Sequence, residues 1–448
     1  MKILLVNKFH FIKGGSERYY FDLAENLKAH GHEVIFFAMK HEKNIPCEQE
    51  KYFTDFVQTE KITFNLAGLK SVFKLWWNFE AAKKINQLIQ DEKPNLVHLH
   101  NISHQISPSI LRVIKKYKLP TVMTMHDYKL VCPNGKMFTH GKVCEKCQGQ
   151  NYFNCLKNKC VKNSFLASLA TFKEMFLHHK ILKIYEKNID LFMAPSEFLK
   201  NKMISWGWPK EKIIHLPYFI NSILSSRVEA DVKSAETEGS KDSSTPFAPL
   251  IPVGMTKEKK NYILYFGRLS KEKGIDTLIE AMRDLPGIKL KIVGTGPEKE
   301  NYELRIMNYG LKNIETLGYK SGQELNEIIA NAKFIVVPSV WYENYPMSVL
   351  ESYALGVPAL VANIGGLPEM IPNQDKNFIF ESGNIKELGE KINFLWQNNS
   401  IVSEAGERVK NFVKENNNPE KHYQKMTTFM LSSSRKRGSQ HLQLSTES

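Results

Sequence analysis

The sequence predicts two doubly wound α/β domains in tandem, and three observations predict it. At 448 residues the chain is too long for one ordinary core, which points to two domains of roughly 150–200 residues each. Short apolar runs alternate with segments of helical spacing through both halves, the pattern of a parallel sheet covered on both faces. Between the halves, residues 221–260 shift to Ser, Thr, Glu, Lys, Gly and Pro, the composition of a flexible linker or insertion with no core of its own.

The elements follow in order. KILLVNKF, EVIFFAM, NLVHLH, TVMTMHD and LFMAPSE read as strands, because short apolar runs bounded by turn signals suit buried strands. Helical spacing separates them at 16–30, 69–90, 108–117 and 164–188. After the linker, YILYFGRL, KLKIVG, IETLGY, FIVVPS, PALVAN and NFIF read as strands, with helices at 274–283, 297–309, 322–331, 346–355 and 385–396. The expected division is a first domain at 1–220 carrying a Cys-rich insertion at 130–162, a linker at 221–260, and a second domain at 261–415. A C-terminal helix at 416–430 and a disordered, basic tail at 431–448 complete it. The C-terminal strand ends of two such sheets can face a common cleft, where ligands of doubly wound sheets bind.

Composition narrows the class. With 42% hydrophobic and 24% charged residues the chain is ordinary globular. No run approaches the roughly 18–20 apolar residues of a spanning helix. The start, MKILLVNKFH, lacks the apolar core and cleavage site of a signal peptide, so a cytoplasmic location is expected. Lys and Arg number 61 against 47 Asp and Glu, a net charge of +14. Such a charge favours an anionic membrane surface or phosphorylated substrates. The positive residues are scattered and no nucleic-acid module is present, so nucleic acid is not an expected partner. Residues 70–77 and 165–185, the latter with Lys173, Lys180 and Lys183, mix aromatic and basic residues as interfacial amphipathic helices do. They point to peripheral contact with the inner face of a membrane; a core-packing face is the competing reading of both.

Two motifs carry the chemistry. Glu343-Asn344-Tyr345-Pro346-Met347-Ser348-Val349-Leu350-Glu351 follows the strand FIVVPS. Pro346 suits a helix start and Gly356 its end, which leaves the Met347 and Ser348 amides at a helix N-terminus, a natural anion site. Glu343 then precedes that site and Glu351 lies about two turns beyond it. A carboxylate accepts two hydroxyls at once, which suits a ribose or a sugar ring. The second motif, Gly267-Arg268-Leu269-Ser270-Lys271-Glu272-Lys273-Gly274, follows YILYF. Arg268 as a fork and Lys273 as a point charge can both reach a diphosphate and stabilise it as it departs. No Asp-x-Asp occurs in the chain, so a metal-bridged diphosphate is not indicated and none is required; positive side chains and a helix terminus can serve instead. The turn Gly294-Thr295-Gly296-Pro297 lacks the rest of a dinucleotide fingerprint and reads as ordinary strand-to-helix geometry.

Taken together, GGSERY near the start, MHD at Met125–Asp127, GRLSKEKG, the paired glutamates with seven residues between them and ALGVPALVANIGGLPE resemble glycosyltransferase family 4, the glycosyl transferases group 1 type with the GT-B fold. The resemblance spans nearly the whole chain apart from the linker and tail. It implies two Rossmann-like domains facing across a cleft, and a retaining hexosyltransferase of polysaccharide biosynthesis. Such an enzyme moves a sugar from a UDP- or GDP-sugar to a hydroxyl of a glycan, a lipid-linked saccharide or a glycolipid. It also implies that Arg268 and Lys273 bind the donor diphosphate, Glu351 the ribose, and Glu343 the transferred sugar. Met347 and Ser348 would offer amides. Gly14 and Gly15, and similarly Gly365 and Gly366, would let backbone approach the donor. His126 would bind a sugar hydroxyl; a satisfied strand-end histidine is the competing reading. A nucleotide-sugar epimerase, or a non-catalytic nucleotide-sugar-binding protein, is the alternative on the same fold.

Five of the six cysteines, Cys132, Cys144, Cys147, Cys155 and Cys160, fall within one short stretch. A C-x2-C pair with two further thiolates can build a structural zinc site, with reduced surface thiols as the competing reading.

Overall fold

The computed structural model describes residues 1–57, 74, 76–220 and 261–435. The expected linker at 221–260 and most of the stretch at 70–77 lie outside the described residues. The chain divides into two compact units. The first comprises Met1–His140, Cys144–Pro217 and the chain from Glu420 onward; the second comprises Gly141–Val143 and Tyr218–Pro419.

The first unit is built on β1 (Lys2–Val6), β2 (Glu33–Phe37), β3 (Leu96–Leu99) and β4 (Thr121–Thr124). Two short strands follow in the chain, β5 (Phe138–Thr139) and β6 (Lys142–Val143), and then β7 (Leu191–Ala194) and β8 (Ile213–His215). One six-stranded sheet runs in the order β2-β1-β3-β4-β7-β8, every pairing parallel. The strands are almost wholly buried, as a sheet covered on both faces requires. Helices Gly15–Ala29, Phe79–Glu92, Ser109–Lys116 and Glu197–Ser205 alternate with them. Asn78 and Ser196 cap two of these by accepting the Ala81 and Leu199 amides, each such cap contributing about 1 kcal/mol.

The second unit repeats the plan with β9 (Tyr262–Phe266), β10 (Lys289–Val293), β11 (Ile314–Gly318), β12 (Ile335–Val337), β13 (Ala359–Ala362) and β14 (Ile379–Phe380). Its sheet runs β11-β10-β9-β12-β13-β14, again parallel throughout. In both sheets the strand order reverses beside the first strand, between β1 and β3 and between β9 and β12. That reversal is the switch point at which doubly wound sheets bind ligands.

Several elements differ from the sequence reading. The expected helix at 164–188 is broken. A helix Phe165–Met175 widens at Phe176–Ile181, where the Leu182 amide bonds to the Leu177 carbonyl at 2.9 Å. It then turns at Lys183, φ +48°, into a short helix Ile184–Asn188. Strand β8 and the 18-residue helix Asn399–Asn416 were not anticipated. The latter shows its apolar face only sparsely, through Val402, Ala405, Val409 and Val413. The last helix runs Pro419–Arg435 rather than 416–430, so its last turn replaces the start of the expected disordered tail; residues 436–448 lie outside the described residues.

From Glu420 that helix belongs to the first unit. His30 Nε2 donates to Glu420 at 2.7 Å, and the ring stacks on Tyr423 with centroids 3.6 Å apart. His32 meets the Tyr423 hydroxyl at 2.7 Å. Met426 and Met430 complete the contact, both buried. Met426→Ala is expected to destabilise the chain by about 2–5 kcal/mol in denaturant unfolding, whereas Lys425→Ala on the exposed face of the same helix should stay within about 0.5 kcal/mol.

Candidate functional site

In the second unit, the loops leaving β9 and β12 flank the switch point, and they carry both motifs. The β9 loop is tied to its neighbours by backbone bonds. Gly267 donates to the Val293 carbonyl at 3.0 Å, Leu269 to Thr295 at 2.9 Å, and Glu298 to Leu269 at 3.1 Å. The Gly294-Thr295-Gly296 turn is thus more than ordinary strand-to-helix geometry: it is the wall against which the Arg268 loop is built. Arg268 is exposed, and its carbonyl accepts the Tyr265 hydroxyl at 2.9 Å.

One short turn, Lys271–Lys273, follows and ends at Gly274 with φ +67°. A Cβ on Gly274 would lie 1.9 Å from the Pro338 carbonyl oxygen, so no larger residue fits. The same approach lets the Val340 amide bond to the Glu272 carbonyl at 3.1 Å. Lys273 then reaches across. Its ammonium donates to Glu343 Oε1 at 2.7 Å and stands 5.4 Å from the centre of the Trp341 ring. Ser339 donates to the same carboxylate oxygen at 2.6 Å. Glu343 is 4% exposed, and these two donors satisfy its buried carboxyl oxygen.

The Glu343 backbone is held as firmly. A Cβ on Gly365, φ +62°, would come within 2.3 Å of the Glu343 carbonyl oxygen and 2.7 Å of its nitrogen. The Gly366 amide donates to that carbonyl at 2.7 Å. Gly365 and Gly366, expected to let backbone approach the donor, also brace Glu343. Three residues past Glu343, Pro346 leads into the helix Met347–Ala354, whose N-terminus has no side-chain cap. Ser348 and Glu351 are half-buried on that helix.

In the first unit, His100 and His126 leave the C-terminal ends of β3 and β4. His100 Nδ1 and His126 Nε2 are hydrogen-bonded at 2.9 Å. Their rings stack at 5.2 Å, and His98 stacks on His100 at 4.6 Å. His98 Nε2 meets Thr124 Oγ1 at 2.8 Å. Burial pushes His98 and His126 down to about 3 and His100 well below the usual imidazole range. All three are therefore neutral at pH 7, so His126 meets any ligand as an uncharged imidazole. His422 is held alike, down to about 3 by burial. The Pro217 carbonyl, 2.9 Å from His422 Nδ1, can only accept. The proton therefore sits on Nδ1, and Nε2 accepts the Tyr19 hydroxyl at 3.0 Å. Gly14 and Gly15 open the helix Gly15–Ala29, which also lacks a side-chain cap. In its first turn the buried Glu17 is raised by desolvation, and Asn7 donates to it at 3.5 Å.

Sequence reasoning missed Ser339, Trp341 and His100. Ser339 and Trp341 lie within four residues of Glu343, and His100 was visible only as the second histidine of LVHLHN. The six cysteines are free thiols, with Cys132, Cys147 and Cys155 buried. Cys155 shares a hydrogen bond with Cys160, which lowers Cys160 to about 6 and raises Cys155; burial raises Cys147 to about 12. Among the described residues, no group of three or more His, Cys, Asp or Glu is arranged to hold a metal ion.

Residues 13–222 match the family model described as Glycosyltransferase Family 4, and residues 250–434 match that described as Glycosyl transferases group 1. An uncharacterized 42.6 kDa protein in the cps region of Klebsiella pneumoniae is 25% identical over 83% of this chain and 89% of its own. The putative colanic acid biosynthesis glycosyltransferase WcaL of Escherichia coli is 23% identical over 49% of this chain and 52% of its own. Among solved structures, sucrose-phosphate synthase of Thermosynechococcus elongatus covers 98% of this chain and all of its own, with a TM-score of 0.66 at 18% identity. Anabaena HepE, solved with UDP and glucose, covers 96% of this chain and 100% of its own, with a TM-score of 0.61 at 16% identity.

The buried histidines set an acid limit. His10, His98, His126 and His422 are each held by burial at about 3, against about 6.5 in an unfolded chain. Between those values the unfolded chain binds protons that the folded chain refuses, so stability falls as pH falls. Each group contributes up to about 1.4 kcal/mol per pH unit below about pH 6. The melting temperature measured by calorimetry should drop steadily from pH 6.5 to 4.5, and His422→Gln should flatten the slope. A melting temperature unchanged over that range would contradict the neutral assignment.

Proposed function

Because the chain belongs to the glycosyltransferases described by the family 4 and group 1 models, we propose that it transfers a sugar, with retention of anomeric configuration, from a UDP- or GDP-sugar to a hydroxyl of a glycan, lipid-linked saccharide or glycolipid. The observation that carries this reading is the Lys273–Glu343 pair of 2.7 Å beside the uncapped N-terminus of Met347–Ala354. HepE, whose fold this chain shares, was solved with UDP and glucose, which supports UDP among the donors. The cps-region relative and WcaL support a surface polysaccharide as the product's destination.

Each residue then has a separate task. The Met347 and Ser348 amides and the helix dipole take the donor phosphates. Arg268, exposed on the β9 loop, supplies a planar fork to the same oxygens, and Lys273 a compact charge. Glu351 takes the ribose hydroxyls. Glu343 takes a hydroxyl of the transferred sugar, its other duties being met by Ser339 and Lys273. In the first unit, neutral His126 takes a sugar hydroxyl, and Gly14 and Gly15 bring the start of Gly15–Ala29 near phosphate.

In the reaction, the bond from the anomeric carbon to the diphosphate oxygen breaks and a bond from that carbon to the acceptor oxygen forms. The acceptor proton passes to the departing diphosphate. Lys273, Arg268 and the helix terminus stabilise the charge that collects there, in a site where fixed donors cost no reorganisation.

Lys273→Ala and Glu343→Ala should each lower kcat/KM for sugar transfer by on the order of 10²-fold without lowering the melting temperature to match. Arg268→Ala should act mainly on KM for the donor. The assay is release of nucleoside diphosphate across a panel of UDP- and GDP-sugars. Near-normal turnover in both the lysine and the glutamate variants would remove the site assignment.

A further inference from the structure

The stretch from Phe153 to Ile181 is folded inside out. On the helix Phe165–Met175 and its widened continuation Phe176–Ile181, the hydroxyl, carboxylate and imidazole side chains face inward, while Lys173 and Lys180 are exposed. Ser168, Thr171, Glu174, His178 and His179 are buried, Glu174 to 2% exposure. The large apolar residues face outward. Phe165 is 51% exposed, Leu166 50%, Phe176 38% and Ile181 58%, with Phe153 at 48% on the neighbouring helix Phe153–Lys157. A soluble helix normally has the reverse polarity.

The inversion is built in, not slack. Glu174 is 3.0 Å from Lys129 Nζ and 3.1 Å from His104 Nδ1. His178 Nε2 bonds to the Trp76 carbonyl at 2.8 Å, and the Trp76 indole donates to the Ala170 carbonyl at 3.0 Å. With these side chains fixed inward, the helix presents its large apolar side chains together with Lys173 and Lys180. Positions 165, 169, 172 and 176 share one stripe at helical spacing. Phe153, Phe172 and Phe176 form a ring chain, with centroids 6.1 and 5.9 Å apart.

The rim of this patch is basic. From Lys157 to Lys187 the chain has seven lysines, at 157, 159, 162, 173, 180, 183 and 187, against Glu174 and Glu186. Glu174 is already inside and paired. Lys157 and Lys180 lie over the Phe153 and Phe176 rings at 5.4 and 5.8 Å, so charge and aromatic surface alternate across the face. No helix among the described residues is long and apolar enough to cross a membrane. A second copy is a poor occupant, because a two-fold contact through this face would set Lys173, Lys180 and Lys183 against lysines.

We propose that the outward face of Phe165–Met175 and Phe176–Ile181, with Phe153, is a docking surface for an anionic lipid bilayer. The aromatic and aliphatic side chains enter the acyl boundary and the lysines meet the anionic headgroups. The widened turn at Phe176–Ile181 serves the contact by rotating Ile181 and Lys180 onto the outer side. The surface stands independently of which sugar the chain transfers.

The test is flotation of the full chain with vesicles of phosphatidylglycerol and phosphatidylcholine, and with phosphatidylcholine alone. The chain should float with the anionic vesicles only, and less so at high salt. The pair Phe165→Ser and Phe176→Ser should abolish flotation. Lys173→Gln and Lys180→Gln should weaken it about fivefold each. All variants should keep the parent melting temperature, since the changed side chains are already exposed. Failure of the parent chain to float, or flotation unchanged in the serine pair, would overturn the proposal. So would sedimentation showing a dimer that the serine pair dissociates, which would assign the face to a second copy.

Discussion

The second unit's candidate site depends on one close approach, that of Gly274 to the Pro338 carbonyl. A methyl group there would sit 1.9 Å from that oxygen, so the loops after β9 and β12 meet only because residue 274 has no side chain and tolerates φ +67°. The two strands are neighbours at the reversal of strand order, and their loops leave the same edge. Lys273 and Glu343 are 70 residues apart in sequence, yet this approach brings them within 2.7 Å. The attraction between such charges and the cost of drying the carboxylate are of similar size. The pair is therefore better read as a device that aims two functional groups than as a source of stability. With Ser339 on the same oxygen and Gly366 on the Glu343 carbonyl, the carboxylate has little freedom to move.

The first unit also holds a buried ion pair, Lys129–Glu174, but it treats its strand-end imidazoles differently. Where the second unit pairs a cation with an anion, the first keeps its imidazoles uncharged. Burial, helped by neighbouring positive charge, holds His98, His100, His126 and His422 far below their usual range. A neutral imidazole donates from one nitrogen and accepts at the other, so the His100–His126 bond of 2.9 Å links the tautomers of the two rings. That suits contact with a hydroxyl, which can serve as donor or acceptor, and suits a phosphate less well. The cationic side chains of the candidate site, Arg268 and Lys273, lie in the second unit.

How much of this was legible in the sequence depends on how far each signal is local. Apolar runs declare strands, and eleven of the twelve strands in the two parallel sheets have one; β8, three residues long, does not. The motif order and spacing around Arg268, Lys273, Glu343 and Glu351 marked the residues at the second switch point, because a strand-end loop and a helix start are short-range features. What was illegible is what distant segments do to one another. Nothing near Gly365 says that its missing Cβ makes room for Glu343, and nothing near Gly294 says that its turn supports the Arg268 loop. Likewise His30 and His32 gave no sign that a helix beginning almost 400 residues later would stack on them. The inside-out helix left two readings open for a related reason. Its apolar and polar stripes were visible, but a stripe alone does not say which side faces in.

What turns that helix outward lies at its buried end. Lys129 donates to Glu174 at 3.0 Å and to the Pro133 carbonyl at 2.9 Å, and its own amide donates to Asp127 at 2.8 Å. An ion pair this buried repays its desolvation only when the remaining donors are satisfied, and Lys129 has two acceptors while Glu174 has His104 as well. To rotate the helix and bury Phe165 and Phe176 would expose hydrophobic surface less, but it would break this arrangement and strand a charge. The polar network therefore outweighs the hydrophobic gain from turning the helix over. Lys129 lies three residues after His126, on the loop that leaves β4. The segment that holds the apolar face outward is thus anchored, through Lys129 and Glu174, to the same loop that carries His126.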